Sequence, residues 1–211
     1  MTTALLQTTY FGPVQWYQKL FRYDCCLIEQ HDSYQKQTYR NRCIIATANG
    51  LQALTVPVGN EKGEMRKEKC LVRDVRISDH NQWRRVHWNA LQSAYSESPF
   101  FDYYADDIRP FFEQKYEFLV DFNEAIRQKL CELLDIHPHV EYTTEFQSPL
   151  PSEGDGPADF RDVIHAKHPL SDADFQAREY WQVFRHKHGF QPNLSILDLL
   201  FCMGPEAVFY L

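Results

Sequence analysis

The segment Thr3–Gln30, TALLQTTYFGPVQWYQKLFRYDCCLIEQ, decides the fold of this chain. Its two ends carry apolar and β-forming runs, which predict strands over residues 3–9 and 24–30. Between them, Gly12-Pro13 opens the stretch 14–23, where apolar side chains recur at helical spacing and the proline stands at a tolerated early position. The segment therefore predicts a strand, a helix and a second strand in succession.

A β-hairpin is predicted directly downstream. Two β-forming runs, 43–48 and 51–58, flank Asn49-Gly50, a dipeptide that strongly favours a tight hairpin turn. With the first segment, this predicts an α/β fold: a single domain over residues 1–211, in which a mixed β-sheet with a hairpin at about 43–58 packs against several α-helices. The stretch SPLPSEGDGP, residues 148–157, is predicted to be an internal loop.

Two further strands and one helix follow from local patterns. Residues 71–77 and 139–146 have the composition of strands. Asp79, with Gln82 as its capping-box partner, is predicted to begin a helix that runs from about Asn81 to Tyr95.

Charged residues mark two more helix starts. Asp106 and Asp107 precede a long helical pattern that ends near Asp135, and acids favour the positive end of a helix dipole. Ser195 and Asp198 form a capping box before an apolar run.

Composition excludes several classes of protein. Of the 211 residues, 44% are hydrophobic and 15% are aromatic, so the chain is neither disordered nor collagen-like. Its net charge of -7 argues against binding nucleic acid, which requires a basic balance. We predict no signal peptide and no membrane insertion, since no stretch approaches the roughly 20 apolar residues of a membrane helix. Six cysteines without a CxxC spacing indicate reduced thiols in a cytoplasmic protein.

The densest polar cluster is HDSYQKQTYRNR, residues 31–42. If it is extended, side-chain alternation sends Lys36, Arg40 and Arg42 to one side. Guanidinium groups bind phosphate and carboxylate bidentately and a lysine adds a point charge, so this side suits a small anionic or phosphorylated ligand. The alternative is a solvated edge strand whose charges deter aggregation.

His87 is the strongest candidate for proton transfer. It follows Trp83 by four residues, which places both rings on one face of the predicted helix. An imidazole titrates near neutral pH and can act as general acid or base. The alternative is a packed and hydrogen-bonded core histidine.

No motif predicts a cofactor, and neither a P-loop nor a GxGxxG is present. Three histidine pairs (137 and 139, 165 and 168, 186 and 188) have spacings that metal sites use, but Pro138 and Gly189 indicate turns, so no metal site is predicted. Cys25-Cys26 lies in an apolar strand, where a cysteine usually behaves as a small buried hydrophobe.

Three separated motifs resemble the WbqC-like protein family. They are YQKQTYRNR at 34–42, WRRVHW at 83–88 and FQPNLSILDLLF at 190–201, and they occur in the order typical of that family. The resemblance runs nearly from end to end. One departure is Thr8 after Gln7, where the commoner opening of the family has a proline.

The resemblance implies a bacterial protein linked to O-antigen and other surface polysaccharide biosynthesis. It suggests a cytoplasmic transferase that moves an acyl or aminoacyl group on a sugar or nucleotide-linked sugar. Carried onto this sequence, it implies Lys36 and His87 as catalytic residues. The implied substrate-binding residues are Tyr34, Tyr39, Asn41 and Arg42.

A non-catalytic binding or assembly protein of a polysaccharide pathway is the alternative function. It would use an aromatic surface formed by Phe100, Phe101, Tyr103 and Tyr104 to hold a protein partner. These four residues could equally cap the core between helices. The sequence does not indicate an oligomeric state.

Overall fold

Four parallel strands form the central sheet of the computed structural model, which describes residues 1–59, 70–148 and 156–211. Strand β1 (Thr3–Gln7) runs beside β2 (Cys25–Glu29), and helix α1 (Val14–Arg22) connects them. A crossover of this kind is required because parallel neighbours cannot be joined by a tight turn. The strand–helix–strand prediction for the first segment is therefore confirmed.

The predicted hairpin is formed by β3 (Arg42–Thr47) and β4 (Gly50–Thr55), which pair antiparallel as a sheet of their own. Gly50 has a φ of 105°, a conformation that side chains other than glycine rarely adopt. The predicted α/β fold, with parallel and antiparallel strands packed against helices, is confirmed.

Further helices and two short strands complete the fold. The short strands β5 (Val140–Tyr142) and β6 (Ala158–Asp159) extend the central sheet on either side, giving the order β5-β2-β1-β6. The remaining elements are α2 (Trp83–Tyr95), α3 (Phe101–Ile108), α4 (Leu119–Leu133), α5 (Arg185–His188) and α6 (Ile196–Met203). Residues 60–69, and 149–155 of the predicted loop, lie outside the described residues.

The strand predicted over residues 71–77 is wrong. Val72–Asp74 form a short 3₁₀ turn, and the flanking residues make only isolated bridges, such as Ser33 with Leu71.

The predicted cap of α2 is wrong as well. Asn81 and Gln82 take left-handed backbone conformations, so the α-helix begins at Trp83. The carboxylate of Asp79 pairs with Arg84 and Lys115 instead of capping.

The long helix predicted after Asp106 and Asp107 is divided into two. Both acids lie inside α3, which gives way at Arg109 to a 3₁₀ turn, and α4 begins only at Leu119. Pro110 explains the break, because it lacks the N–H that would continue the α-helical hydrogen bonds.

The motif at 190–201 is built into the core. Ser195 caps α6 as predicted, its hydroxyl accepting from the amide of Leu197. Asp198 does not complete the capping box; its carboxylate accepts from the hydroxyls of Tyr95 and Tyr180 at 2.9 and 2.7 Å. Burial raises the pKa of Asp198, and these hydrogen bonds oppose the shift.

The four aromatic residues proposed as a partner surface mostly face inward. Phe101 and Tyr104 are buried, Phe100 packs against the core, and Tyr103 is 73% exposed. They therefore form no contiguous aromatic surface. In the described part of the chain, no helix has the length and apolarity needed to cross a membrane.

Candidate ligand-binding cleft

A cavity of about 230 Å³ opens at the carboxyl ends of β1, β2 and β5. This edge of a parallel sheet is where ligands commonly bind in open α/β folds, because the strand ends leave a crevice between connecting segments. We call this cavity the cleft. Its lining residues are Thr8, Thr9, Trp16, Ile28, Gln30, Val120, Asp121, Asn123, Glu124, Arg127 and Tyr142.

Strand ends and one helix position the polar groups of the cleft. Thr8 and Thr9 directly follow β1, and Gln30 directly follows β2. Helix α4 lies over this edge and presents Asn123 and Arg127, which share a helical face because they are four residues apart.

Asn123 is the most deeply buried polar residue of the cleft, with 2% of its surface exposed. Its amide nitrogen donates to the hydroxyl of Thr8 at 3.1 Å and to the carbonyl of Arg40 at 2.8 Å. Its amide oxygen has no hydrogen-bond partner among the described residues, and neither has the hydroxyl of buried Thr9. Buried polar atoms without a partner are uncommon and costly, so both oxygens favour a bound ligand or water.

Glu124 and Arg127 form an ion pair at the cleft wall. Arg127 Nε donates to Glu124 Oε2 at 2.7 Å, and Tyr142 also hydrogen-bonds to this carboxylate. Burial alone raises the pKa of Glu124, but the hydrogen bonds from Arg127 and Tyr142 lower it below its ordinary value. Burial, reinforced by the bond to Glu124, raises the pKa of Tyr142. Near neutral pH the cleft therefore holds a carboxylate, a guanidinium and a protonated phenol.

The segment between β2 and β3 adjoins the cleft at both of its ends. Gln30 lines the cleft, and the carbonyl of Arg40 accepts from Asn123, which also lines it. The connecting segment therefore leaves the cleft edge at Gln30 and returns to it at Arg40, within the motif at 34–42. Among the residues predicted from the motif, Lys36 is exposed and has no ion pair within the described part of the chain.

The predicted sharing of one side by three cations is wrong. Arg40 is 3% exposed and pairs with Asp32 at 2.8 Å, whereas Arg42 Nε donates to the Thr55 hydroxyl at 3.2 Å on the hairpin. Turns in this segment, including Gln37 at a φ of 65°, break the alternation on which the prediction rested. Burial lowers the pKa of Arg40, and the nearby carboxylates of Asp32 and Asp162 oppose that shift.

His87 lies in the core beside the hairpin and does not line the cleft. Its Nδ1 shares a hydrogen bond of 2.9 Å with the Tyr10 hydroxyl, and the ring also hydrogen-bonds to the backbone of Thr55. Burial lowers the pKa of His87 to about 4, so the imidazole is neutral at pH 7. Asn41 and Arg42 contact the end of the same strand. The side-chain amide of Asn41 donates at 2.7 Å to the carbonyl of Val56, the residue after β4, and Arg42 contacts Thr55.

The two predicted tyrosines are held by the surrounding structure. Burial raises the pKa of both Tyr34 and Tyr39 to about 12. The amide of Tyr10 donates to the Tyr39 carbonyl, and the amide of Tyr34 donates to the Cys70 carbonyl. The structure thus gathers His87, Asn41 and Arg42 around the end of β4, while Lys36 lies on the exposed segment beside the cleft.

The polar residues of the cleft were not predicted from the sequence. Thr8 and Thr9 carry one signal, since polar residues directly after a buried parallel strand often face a ligand crevice. Asn123, Glu124 and Arg127 carry none, because an asparagine and an ion pair are ordinary on the surface of any helix. Their convergence depends on how α4 packs over the sheet.

The fold and the cleft define an α/β protein with a small polar site at the carboxyl edge of a parallel sheet. The chain belongs to the WbqC-like protein family, whose pattern matches residues 7–210, and the predicted family resemblance is confirmed. A relative named uncharacterized protein Rv1507c, from Mycobacterium tuberculosis, is 29% identical over 230 residues, covering 99% of this chain and 96% of the relative. No solved structure matches the chain significantly.

Proposed function

We propose that this protein is a transferase that moves an acyl or aminoacyl group to or from a sugar, or a nucleotide-linked sugar, in surface polysaccharide biosynthesis, and that the cleft binds the sugar. The observation that carries the proposal is the pair of unpartnered oxygens on Thr9 and Asn123, beside the Glu124 carboxylate. An amide oxygen and a carboxylate only accept hydrogen bonds, so the ligand must bring O–H or N–H donors. Sugars and amino sugars are rich in such groups.

The size and charge of the cleft support a small ligand. A volume of about 230 Å³ lies below the range of roughly 300 to 1,000 Å³ typical of drug-sized ligands, which suits one sugar ring better than an entire nucleotide-sugar. Arg127 adds a guanidinium that could bind a carboxylate or phosphate on that ring.

The segment beside the cleft supplies a place for the rest of the ligand. Lys36 is exposed on the segment that joins the cleft at Gln30 and Arg40, so its ammonium group is our candidate for a donor phosphate. We assign Asn41, Arg42 and His87 a positioning role. His87 hydrogen-bonds to the hydroxyl of Tyr10, the residue after Thr9. Arg42 links the two strands of the hairpin through its hydrogen bond to Thr55.

Ligand-dependent thermal unfolding tests the proposal. Neutral and acidic monosaccharides, amino sugars and nucleotide-sugars should be screened, and at least one should raise the midpoint of the wild-type protein. Arg127→Gln should abolish that rise. Arg109→Gln is the control: it removes an arginine from an exposed ion pair with Glu113, outside the cleft, and should leave the ligand-induced rise in the midpoint intact. If no sugar shifts the wild-type midpoint, the sugar site is refuted.

Acyl transfer needs its own measurement. A ligand that passes the first test should be incubated with candidate thioester or aminoacyl donors, and its mass should then increase by the transferred group. Lys36→Ala should slow this step when the donor carries a phosphate. Binding without any transfer, for every donor tried, would favour the non-catalytic alternative.

A further inference from the structure

Cys25, His139 and Glu141 lie together on one face of the central sheet. In the pairing of β2 with β5, Cys26 lies opposite Val140 and Leu27 opposite Glu141, so Cys25 is level with His139. Residues two apart along a strand share a face, and so do partners across strands. The register of two parallel strands therefore brings a thiol, an imidazole and a carboxylate to one side.

The ligand atoms of these three residues all lie within 4.8 Å of one another. His139 Nε2 and Glu141 Oε1 are already 3.3 Å apart. Two atoms bound to one tetrahedral zinc ion at about 2.0 to 2.3 Å are separated by about 3.5 Å, so this pair has the spacing that a shared metal requires. Cys25, which is buried at the start of β2, brings the third ligand atom to the two exposed partners.

We propose that Cys25, His139 and Glu141 bind a zinc ion, with a solvent molecule or an external ligand in the fourth position. Cysteine sulfur, histidine nitrogen and carboxylate oxygen are the three ligand types that zinc uses in proteins. On binding, the thiol of Cys25 loses its proton to solvent and its sulfur bonds to the metal as a thiolate. His137, whose spacing from His139 is also one that metal sites use, faces Asp135 at 3.5 Å instead.

This zinc site is independent of the proposed transferase function. Glu141 directly precedes Tyr142, which lines the cleft, but successive side chains of a strand point to opposite faces of the sheet. The zinc ligands therefore lie on the face away from Tyr142 and Ile28. The metal would join the three-residue edge strand β5 to its neighbour β2. Because the ion binds the folded state, it should stabilise this edge of the sheet.

Cobalt(II) tests the site with a spectroscopic readout. The full-length, reduced, metal-free protein should be titrated with cobalt, and a bound thiolate should produce a sulfur-to-cobalt charge-transfer band with the intense visible bands of tetrahedral cobalt. Zinc should displace the cobalt, and the charge-transfer band and the visible cobalt bands should then both disappear. Cys25→Ser should abolish the charge-transfer band, and His139→Gln should weaken cobalt binding at least tenfold.

Two further variants keep the result interpretable. Glu141→Gln changes an exposed side chain and should weaken cobalt binding even if Cys25→Ser fails to fold. His137→Gln removes the neighbouring exposed histidine and should have no effect. Cobalt absorption without a thiolate band, or a band that survives in Cys25→Ser, would refute the site.

Discussion

The side-chain amide of Asn123 on α4 donates to the backbone carbonyl of Arg40, 83 residues earlier, at 2.8 Å. The same nitrogen donates to Thr8 at the end of β1. One buried residue thus joins a helix, a strand end and the family motif at 34–42, while its amide oxygen has no partner among the described residues. The position of the motif relative to the cleft depends on this contact.

Asn123→Ala should lower the free energy of unfolding by about 2 to 4 kcal/mol, because it leaves the buried carbonyl of Arg40 and the Thr8 hydroxyl without their donor. Urea unfolding followed by circular dichroism measures the change. Gln128→Ala removes only an exposed hydrogen bond to Glu124 on the same helix and should change stability by less than about 0.5 kcal/mol. An equal loss of unfolding free energy in the two variants would contradict the role of Asn123 in joining α4 to Thr8 and Arg40.

His87 should make the protein less stable in mild acid. Its pKa falls from an ordinary value of 6.5 to about 4 on folding, so the unfolded chain binds a proton more readily. Stability is fully present above pH 6.5 and falls by roughly 3 kcal/mol as the pH drops to about 4. Unfolding free energies at successive pH values should show this slope, which His87→Gln should remove and exposed His137→Gln should keep.

Glu124 should give a second loss of stability at lower pH. Its pKa in the folded protein is below the ordinary value of 4.5, so its contribution is present above that value and is lost as the pH falls through the folded pKa. Glu124→Gln should flatten the stability curve below pH 4.5 while leaving the His87 slope above it unchanged. The same pH series measures the losses of stability due to His87 and to Glu124. A stability curve of Glu124→Gln that runs parallel to the wild-type curve below pH 4.5 would contradict this prediction.

Gly12 should be required for the shape of the cleft. A Cβ atom at this position would lie 2.4 Å from the Thr9 hydroxyl oxygen, which is closer than atoms can approach. Gly12→Ala should therefore displace Thr9 and weaken sugar binding at least tenfold. Gly50→Ala is the matched control, since its Cβ would meet no atom within 4 Å and only the left-handed backbone would be strained. Both variants should lose stability by about 1 kcal/mol or more, but only the first should lose binding. Calorimetric titration with the sugar found in the thermal screen separates them.

Local patterns predicted the elements whose signals lie within a few residues. The strand–helix–strand start and the hairpin at Asn49-Gly50 belong to this group, because alternation, helical spacing and turn chemistry act along the chain itself. Residues 71–77 failed because a β-forming composition makes a strand only where a partner strand lies alongside. The helix around Asp106 failed because Pro110 outweighed the apolar periodicity.

The sequence by itself determined the α/β class and the family. Only the tertiary structure decided which polar groups meet. It turned Arg40 toward Asp32, left Lys36 exposed, enclosed His87 with Tyr10, and brought Asn123, Glu124 and Arg127 over the ends of distant strands. The physical reason is that side-chain direction in a turn, and proximity between residues more than a hundred positions apart, are set by packing across the core rather than by neighbours in the chain.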